Sequence, residues 1–126
     1  MNKLTDSVRI IVTDEHNPDR FLICTESDDP NNWKLPGGKF NGVDETPLDA
    51  ARRELDEELS LPNVALVLLG TVMNDDAISS RHIFKTVVNP NRVIPTADID
   101  RLRWIIKADI PEGKNRHHMA QAVDLT

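Results

Sequence analysis

Apolar and polar positions alternate in short blocks at the start of the chain. "SVRIIVT", residues 7–13, is rich in β-branched residues and predicts a strand. "DEHNPD" has turn chemistry, and "RFLICTE", 20–26, predicts a second strand in a hairpin with the first. The pattern then breaks. "SDDPNNWKLPGGKFNGVDE", 27–45, holds two prolines and three glycines and predicts a long loop, packed through Trp33, Leu35 and Phe40.

After residue 45 the period changes to that of a helix. Thr46 is a candidate N-cap, Pro47 suits the first helical position, and Asp49 sits at the third. Good helix formers fill 47–59, with Leu48, Ala51, Leu55 and Leu59 spaced as a core-facing stripe, and Pro62 ends the run. Three further strands are predicted at 64–73, 81–89 and 101–107, and a closing helix at 115–123. Strands, helix, strands, helix predict an α/β fold with a mixed sheet and helices packed on it. The length of 126 residues suits one domain, 1–126.

Charge narrows the partners. The chain is 39% hydrophobic and 29% charged, with a net charge of −6. An acidic chain is a poor non-specific binder of extended nucleic acid or anionic lipid. A small phosphorylated ligand stays open, because a cation can neutralise it locally. The single cysteine, Cys24, allows no intrachain disulfide and reads as core packing. The apolar stretch near the N-terminus is too short for a signal peptide or membrane span, so a cytoplasmic location is expected.

"RRELDEEL", 52–59, crowds acids onto the helix. Like charges three or four residues apart cost about 0.2–0.5 kcal/mol per pair. At 100° per residue, Glu54, Glu57 and Glu58 share one face within about 100°, along the edge of the apolar stripe. Asp49 and Asp56 point elsewhere, and Arg53 lies one turn before Glu57. Three carboxylates on a rigid element suit a hard divalent cation. A charged helix face compensated by arginines fits the same spacing. "LPGGKF" places Gly37 and Gly38 ahead of the helix, where the backbone can take positive φ and a carbonyl can approach a ligand. A plain tight turn is the alternative there.

Together, "WKLPGG" (33–38) and "GGKFNGVDETPLDAARRELDEELSL" (37–61) resemble the Nudix hydrolase family. The spacing from Glu45 to Arg53 and the "RELDEEL" that follows fit the family's box. Two departures stand out. Six residues rather than five separate Gly38 from Glu45, and Ser60 replaces the glycine after the helix. The resemblance implies a Nudix-type α/β/α sandwich and Mg²⁺ or Mn²⁺ as cofactor. It implies Glu54 and Glu58 as metal ligands, with Glu57 ligating directly or through water and Glu54 a candidate base. It also implies Arg53 pairing with the glutamates, Glu45 supporting the loop or a second cation, and a carbonyl of Gly38 or Gly37 in the metal shell. Asp98 or Asp100, before the "RW" strand, would add an acid, Asp98 being favoured. Lys39, Trp33 and Arg81 are candidates for holding substrate, Trp33 by stacking and Arg81 at phosphate or base.

The implied reaction splits the phosphoanhydride of a nucleoside diphosphate linked to another group. The chain has no tyrosine, and "MNDDAISS", 73–80, has no proline. It therefore lacks the family's markers for dinucleoside polyphosphate and ADP-ribose hydrolases. Its small size resembles the MutT-like (d)NTP pyrophosphohydrolases. A catalytically weak sensing or scaffold domain is the first alternative, and an ADP-ribose or RNA 5′-end pyrophosphohydrolase the next. A monomer or homodimer is expected. His82 reads as an ordinary strand residue. His117 and His118 are adjacent on a helix and face different sides, which disfavours zinc.

Overall fold

The computed structural model describes residues 5–126. Its strands are β1 (Ser7–Asp14), β2 (Asn17–Glu26), β3 (Asp29–Lys34), β4 (Gly37–Lys39), β5 (Val67–Met73), β6 (Ser80–Val88) and β7 (Ile99–Ile105). Two helices, α1 (Pro47–Leu59) and α2 (Arg116–Val123), complete the frame. The strands form one mixed sheet in the order β3-β2-β1-β6-β5, with β4 on β1 and β7 on β2. β1 and β6 run parallel in register from Ser7–Arg81 to Asp14–Val88, and the other pairs are antiparallel.

Alternation along β1 and β2 divides the interior in two. Val8, Ile10, Val12 and Leu22 pack with Ala50, Ala51, Leu55 and Leu59 of α1. Ile11, Phe21 and Ile23 pack on the opposite face with Met119, Ala122 and Val123 of α2. The sheet is thus covered by one helix on each side, an α/β/α sandwich. Cys24 is fully buried, and burial pushes its thiol up to about 12.

The predicted loop 27–45 needs correction, since it contains β3 and β4. β1 and β2 pair at Thr13–Phe21 and Asp14–Asn17, near their hairpin. Beyond it β3 takes the edge of β2, and β4 takes the edge of β1. The chain crosses between them through Leu35 and Pro36, and the Ile10 amide donates to the Pro36 carbonyl at 2.9 Å. β3 ends the main strand order, where Pro30 is tolerated. β4 consists of two glycines and a lysine. Neither carries the apolar alternation that marks a strand.

α1 spans the predicted range, but its buried stripe differs. Leu48 is 37% exposed and Ala50 is buried in its stead. Leu48 and Leu59 lie within about 20° around the axis. Rotation therefore does not expose Leu48; the first turn extends past the packed core. Thr46 caps the helix by accepting from the Asp49 amide at 3.1 Å. Ser60 ends it in the left-handed region, with φ 58° and ψ 41°. Its hydroxyl donates to the Ile94 carbonyl at 3.0 Å.

Candidate active site

The inner face of α1 is buried in pairs: Ala50–Ala51, Glu54–Leu55 and Glu58–Leu59. Two carboxylates therefore point toward the sheet with the core residues. Glu54 is 9% exposed and Glu58 only 4%. Glu57, on the same helix, is exposed. Buried carboxylates are costly unless partnered, and each partner can be named.

Glu58 Oε1 accepts from the Gly37 amide at 2.8 Å, and Oε2 from Lys34 Nζ at 3.1 Å. Lys34 Nζ also donates to the Gly37 carbonyl at 3.0 Å and pairs with Glu26 at the end of β2. One buried ammonium thus gathers Glu58, Glu26 and the Gly37 carbonyl. Arg53 does the equivalent work on the other side. Its Nε and Nη2 fork onto Glu45 at 2.8 and 2.9 Å, and Nη1 donates to Glu54 Oε1 at 2.9 Å and Glu57 Oε2 at 3.2 Å. Nη2 also donates to the Lys39 carbonyl at 3.0 Å, which ties the helix to the glycine loop. Glu45 Oε1 accepts from the Asn41 amide at 2.9 Å as well, so Glu45 pins the longer loop to Arg53.

Two glycines make this approach possible. Gly37 has φ +138°, and a Cβ there would lie 2.1 Å from the Val8 carbonyl oxygen. A Cβ on Gly38 would lie 2.7 Å from Glu54 Oε1. Of the two carbonyls left open by the sequence, that of Gly37 lies in the cluster, sharing Lys34 with Glu58.

Burial raises Glu54 above the ordinary carboxylate value, with Glu58 reinforcing the shift and Arg53 opposing it. Burial also raises Glu58, against Lys34 and the Gly37 amide. For Glu26 burial pushes upward, but Lys34 outweighs it and holds the group low. Arg53 holds Glu45 low.

A cavity of about 320 Å³ opens above these groups, lined by Glu26, Ser27, Asp28, Glu54, Glu57, Glu58, Ala97 and Asp98. Asp98, far away in sequence, forms its opposite wall. Among the described residues, no three His, Cys, Asp or Glu side chains stand close enough to hold an ion as placed. Arg53 and Lys34 occupy the oxygens that would have to converge. The donor set itself is all oxygen, which fits Mg²⁺ or Mn²⁺. Lys34 already serves as a cation bound to two carboxylates and a carbonyl.

The other candidates fall elsewhere. Lys39 and Arg81 line a separate pocket of about 210 Å³, together with Arg9 and Lys34. Trp33 lies on β3, with the Arg101 and Arg103 guanidinium carbons 4.6 and 5.0 Å from its ring centre. Both guanidinium groups thus lie within cation–π range of the ring. His82 is half-buried, accepts or donates at Thr71 Oγ1 over 3.1 Å and stacks on Phe40. A larger cavity of about 530 Å³, between the N-terminal half of β2 and the end of α2, has no acid cluster. Lys34, Glu26, Asp28 and Arg9 escaped the sequence reading. The only signal for Lys34 was its place between Trp33 and Leu35 in "WKLPGG".

The NUDIX domain family model matches residues 3–125. No curated protein sequence matches this chain. Among solved structures, it is similar to the NUDIX domain of Shewanella oneidensis NrtR complexed with ADP ribose. The TM-score is 0.71 and the identity 19%, over 98% of this chain and 88% of the other. It is similar to the E. coli dihydroneopterin triphosphate pyrophosphohydrolase at TM-score 0.74 and 18% identity, over 98% and 95%. A C. elegans Ap4A hydrolase binary complex gives TM-score 0.71 and 18% identity, over 94% and 93%. At these identities the likeness is one of fold.

Proposed function

The chain belongs to the Nudix family, and from that premise we propose that it is a metal-dependent hydrolase of a nucleoside diphosphate linked to another group. We place it as one domain in the cytoplasm, acting on small nucleotides, with (d)NTPs the first class to test. The carrying observation is the pair of buried carboxylates, Glu54 and Glu58, turned into an acidic cavity beside a glycine carbonyl. Glu54, Glu58 and the carbonyl of Gly37 or Gly38 would hold Mg²⁺ or Mn²⁺, with Glu57 and Asp98 contributing directly or through water. When bound, the metal supplies charge for the diphosphate and a more acidic water.

The chain's own residues do the rest. Arg53 engages Oε1 of Glu54, leaving Oε2 to accept a proton from water. The raised affinity of Glu54 for protons suits that task. Arg53 also fixes Glu45 and Glu57, so loop and helix keep one geometry. ADP ribose, dihydroneopterin triphosphate and Ap4A, named with the structural neighbours, share a phosphoanhydride chain and differ beyond it. That pattern supports the reaction class and leaves the attached group open.

The test is turnover with Mg²⁺ or Mn²⁺ on a panel of nucleoside triphosphates, ADP-ribose, dinucleoside polyphosphates and nucleotide sugars, with products identified by mass. Hydrolysis of at least one, lost in EDTA, is expected. Activity undiminished by EDTA, or no hydrolysis across the panel, overturns the reading.

A further inference from the structure

The pocket on the other side of Lys34 has the opposite character. Four cationic side chains line it, Arg9, Lys34, Lys39 and Arg81, and none of its described lining residues is acidic. Arg81 is only 6% exposed, and among the described residues its buried Nε has no hydrogen-bond partner. Its Nη2 donates to the Gln121 side-chain oxygen at 2.6 Å. Arg9 Nη1 donates to the Leu35 carbonyl at 3.2 Å. Both partners are neutral: they orient the guanidinium groups without cancelling charge. Asp75 acts on Arg81 electrostatically, but its side chain is exposed and paired with His118 at 3.7 Å. Burial and the neighbouring Arg9 both press Arg81 toward losing its proton. The pocket therefore keeps a buried guanidinium with an unused donor, and the carboxylates that act on Lys34 and Arg9, Glu26 and Glu58, line the other cavity.

We propose that this pocket is a phosphate-monoester subsite, receiving a terminal phosphate carried by the substrate on the side away from the bond that is cut. The inference rests on the phosphoanhydride reading of the adjoining cavity and narrows its substrate class. Lys34 links the two: it lines the basic pocket and pairs with Glu58 and Glu26, which line the acidic cavity. A substrate reaching past Lys34 would put its diphosphate over the acids and its second anion among Arg9, Lys39 and Arg81. At about 210 Å³ the pocket falls below the roughly 300–1,000 Å³ of drug-sized ligand sites. It suits a sugar phosphate better than a whole nucleotide. Guanidinium forks match phosphate oxygens in pairs.

The first experiment needs no metal. Wild-type protein in EDTA is titrated with inorganic phosphate, and separately with adenosine and guanosine, following the backbone amide resonances of Ser7, Leu35 and Asn115. Phosphate is expected to shift them and the neutral nucleosides to leave them in place. Arg81→Gln and Arg9→Gln should each weaken phosphate binding by about tenfold or more. Arg9→Gln alone carries this comparison should Arg81→Gln not fold. Nucleosides shifting the resonances as strongly as phosphate, neither probe shifting them, or phosphate binding undiminished by the variants each overturn the proposal.

The second experiment compares turnover of ADP-ribose with and without a phosphate on its terminal ribose. The phosphorylated compound should have a kcat/KM about tenfold higher or more, a preference Arg9→Gln erases. Phosphate binding without that preference assigns the pocket to free phosphate and overturns the substrate-borne form. Phosphate binding with no metal-dependent hydrolysis of any compound rejects the hydrolase reading and keeps the pocket.

Discussion

The acidic cavity and the basic pocket meet at Lys34, yet they settle their charge in opposite ways. On the acidic side the chain brings its own counter-charges. Arg53 spans Glu45, Glu54 and Glu57, and Lys34 spans Glu58 and Glu26. On the basic side Arg9 and Arg81 lean on a carbonyl and an amide, so their charge stays available. The first arrangement holds carboxylates in place before any ligand arrives and expects an exchange of cations. The second is incomplete without an anion. A charged site can thus be organised by internal pairing, or by neutral contacts that leave the charge to the ligand.

The most forceful way to break the comparison is to remove the acids. Glu54→Gln and Glu58→Gln should each lower kcat with Mg²⁺ by roughly 10²–10⁴-fold, read as product formed on the best panel substrate. Near wild-type turnover in either would detach the buried pair from catalysis. The next largest effect should come from Lys34→Met. It leaves Glu58 buried without its ammonium, so the metal-free protein should lose roughly 3–5 kcal/mol in denaturant titration. Mn²⁺ should restore part of that loss, giving the variant a larger metal-induced rise in Tm than wild type. An equal rise in both would mean that Lys34 and the metal do not compete for the same oxygens.

A smaller effect follows from pH. Glu54 and Glu58 are both raised from the ordinary value of 4.5, so the fold favours their protonated forms. That stabilisation is complete below the ordinary value and is lost as pH rises through the raised folded values. At pH 7 without metal, Glu54→Gln should therefore stabilise the protein by roughly 0.5–2 kcal/mol, and near pH 4 the gain should vanish. A gain that is flat with pH would place its cause outside ionisation. The smallest effect is expected at the end of α1, beyond Glu58. Ser60→Ala keeps the left-handed backbone and loses the exposed bond to Ile94, at a cost of about 0.5 kcal/mol. The Mn²⁺-induced change in Tm should stay as in wild type.

β1, α1 and α2 were legible because each carries its own period, cap or β-branched run, and the acid cluster because one helix displays all of it. β3 and β4 were not, since their pairing is dictated by where β1 and β2 part. The role of Lys34 was invisible for the same reason. It depends on Glu26, Gly37 and Glu58 meeting from three elements, and beyond its place in "WKLPGG" nothing next to Lys34 in sequence signals it. Trp33 reads as a stacking candidate because it is an aromatic in a glycine-rich stretch, and its arginine neighbours could not be read from that stretch. Arg101 and Arg103, brought alongside by β7, already engage its ring. Arg81, opening a strand, reads as a candidate contact for phosphate or base, while Arg9, which lines the same pocket, lies hidden inside an apolar strand.

The parallel pairing of β1 with β6 has a consequence for biosynthesis. Ser7 must find Arg81 and Asp14 must find Val88, so the first strand emerges from the ribosome long before its partner. The hairpin with β2, the short β4 and the acidic helix can gather on β1 in the meantime, while one flank of that strand waits bare. A nascent chain stalled before residue 80 would display that flank to its neighbours and invite intermolecular strand addition.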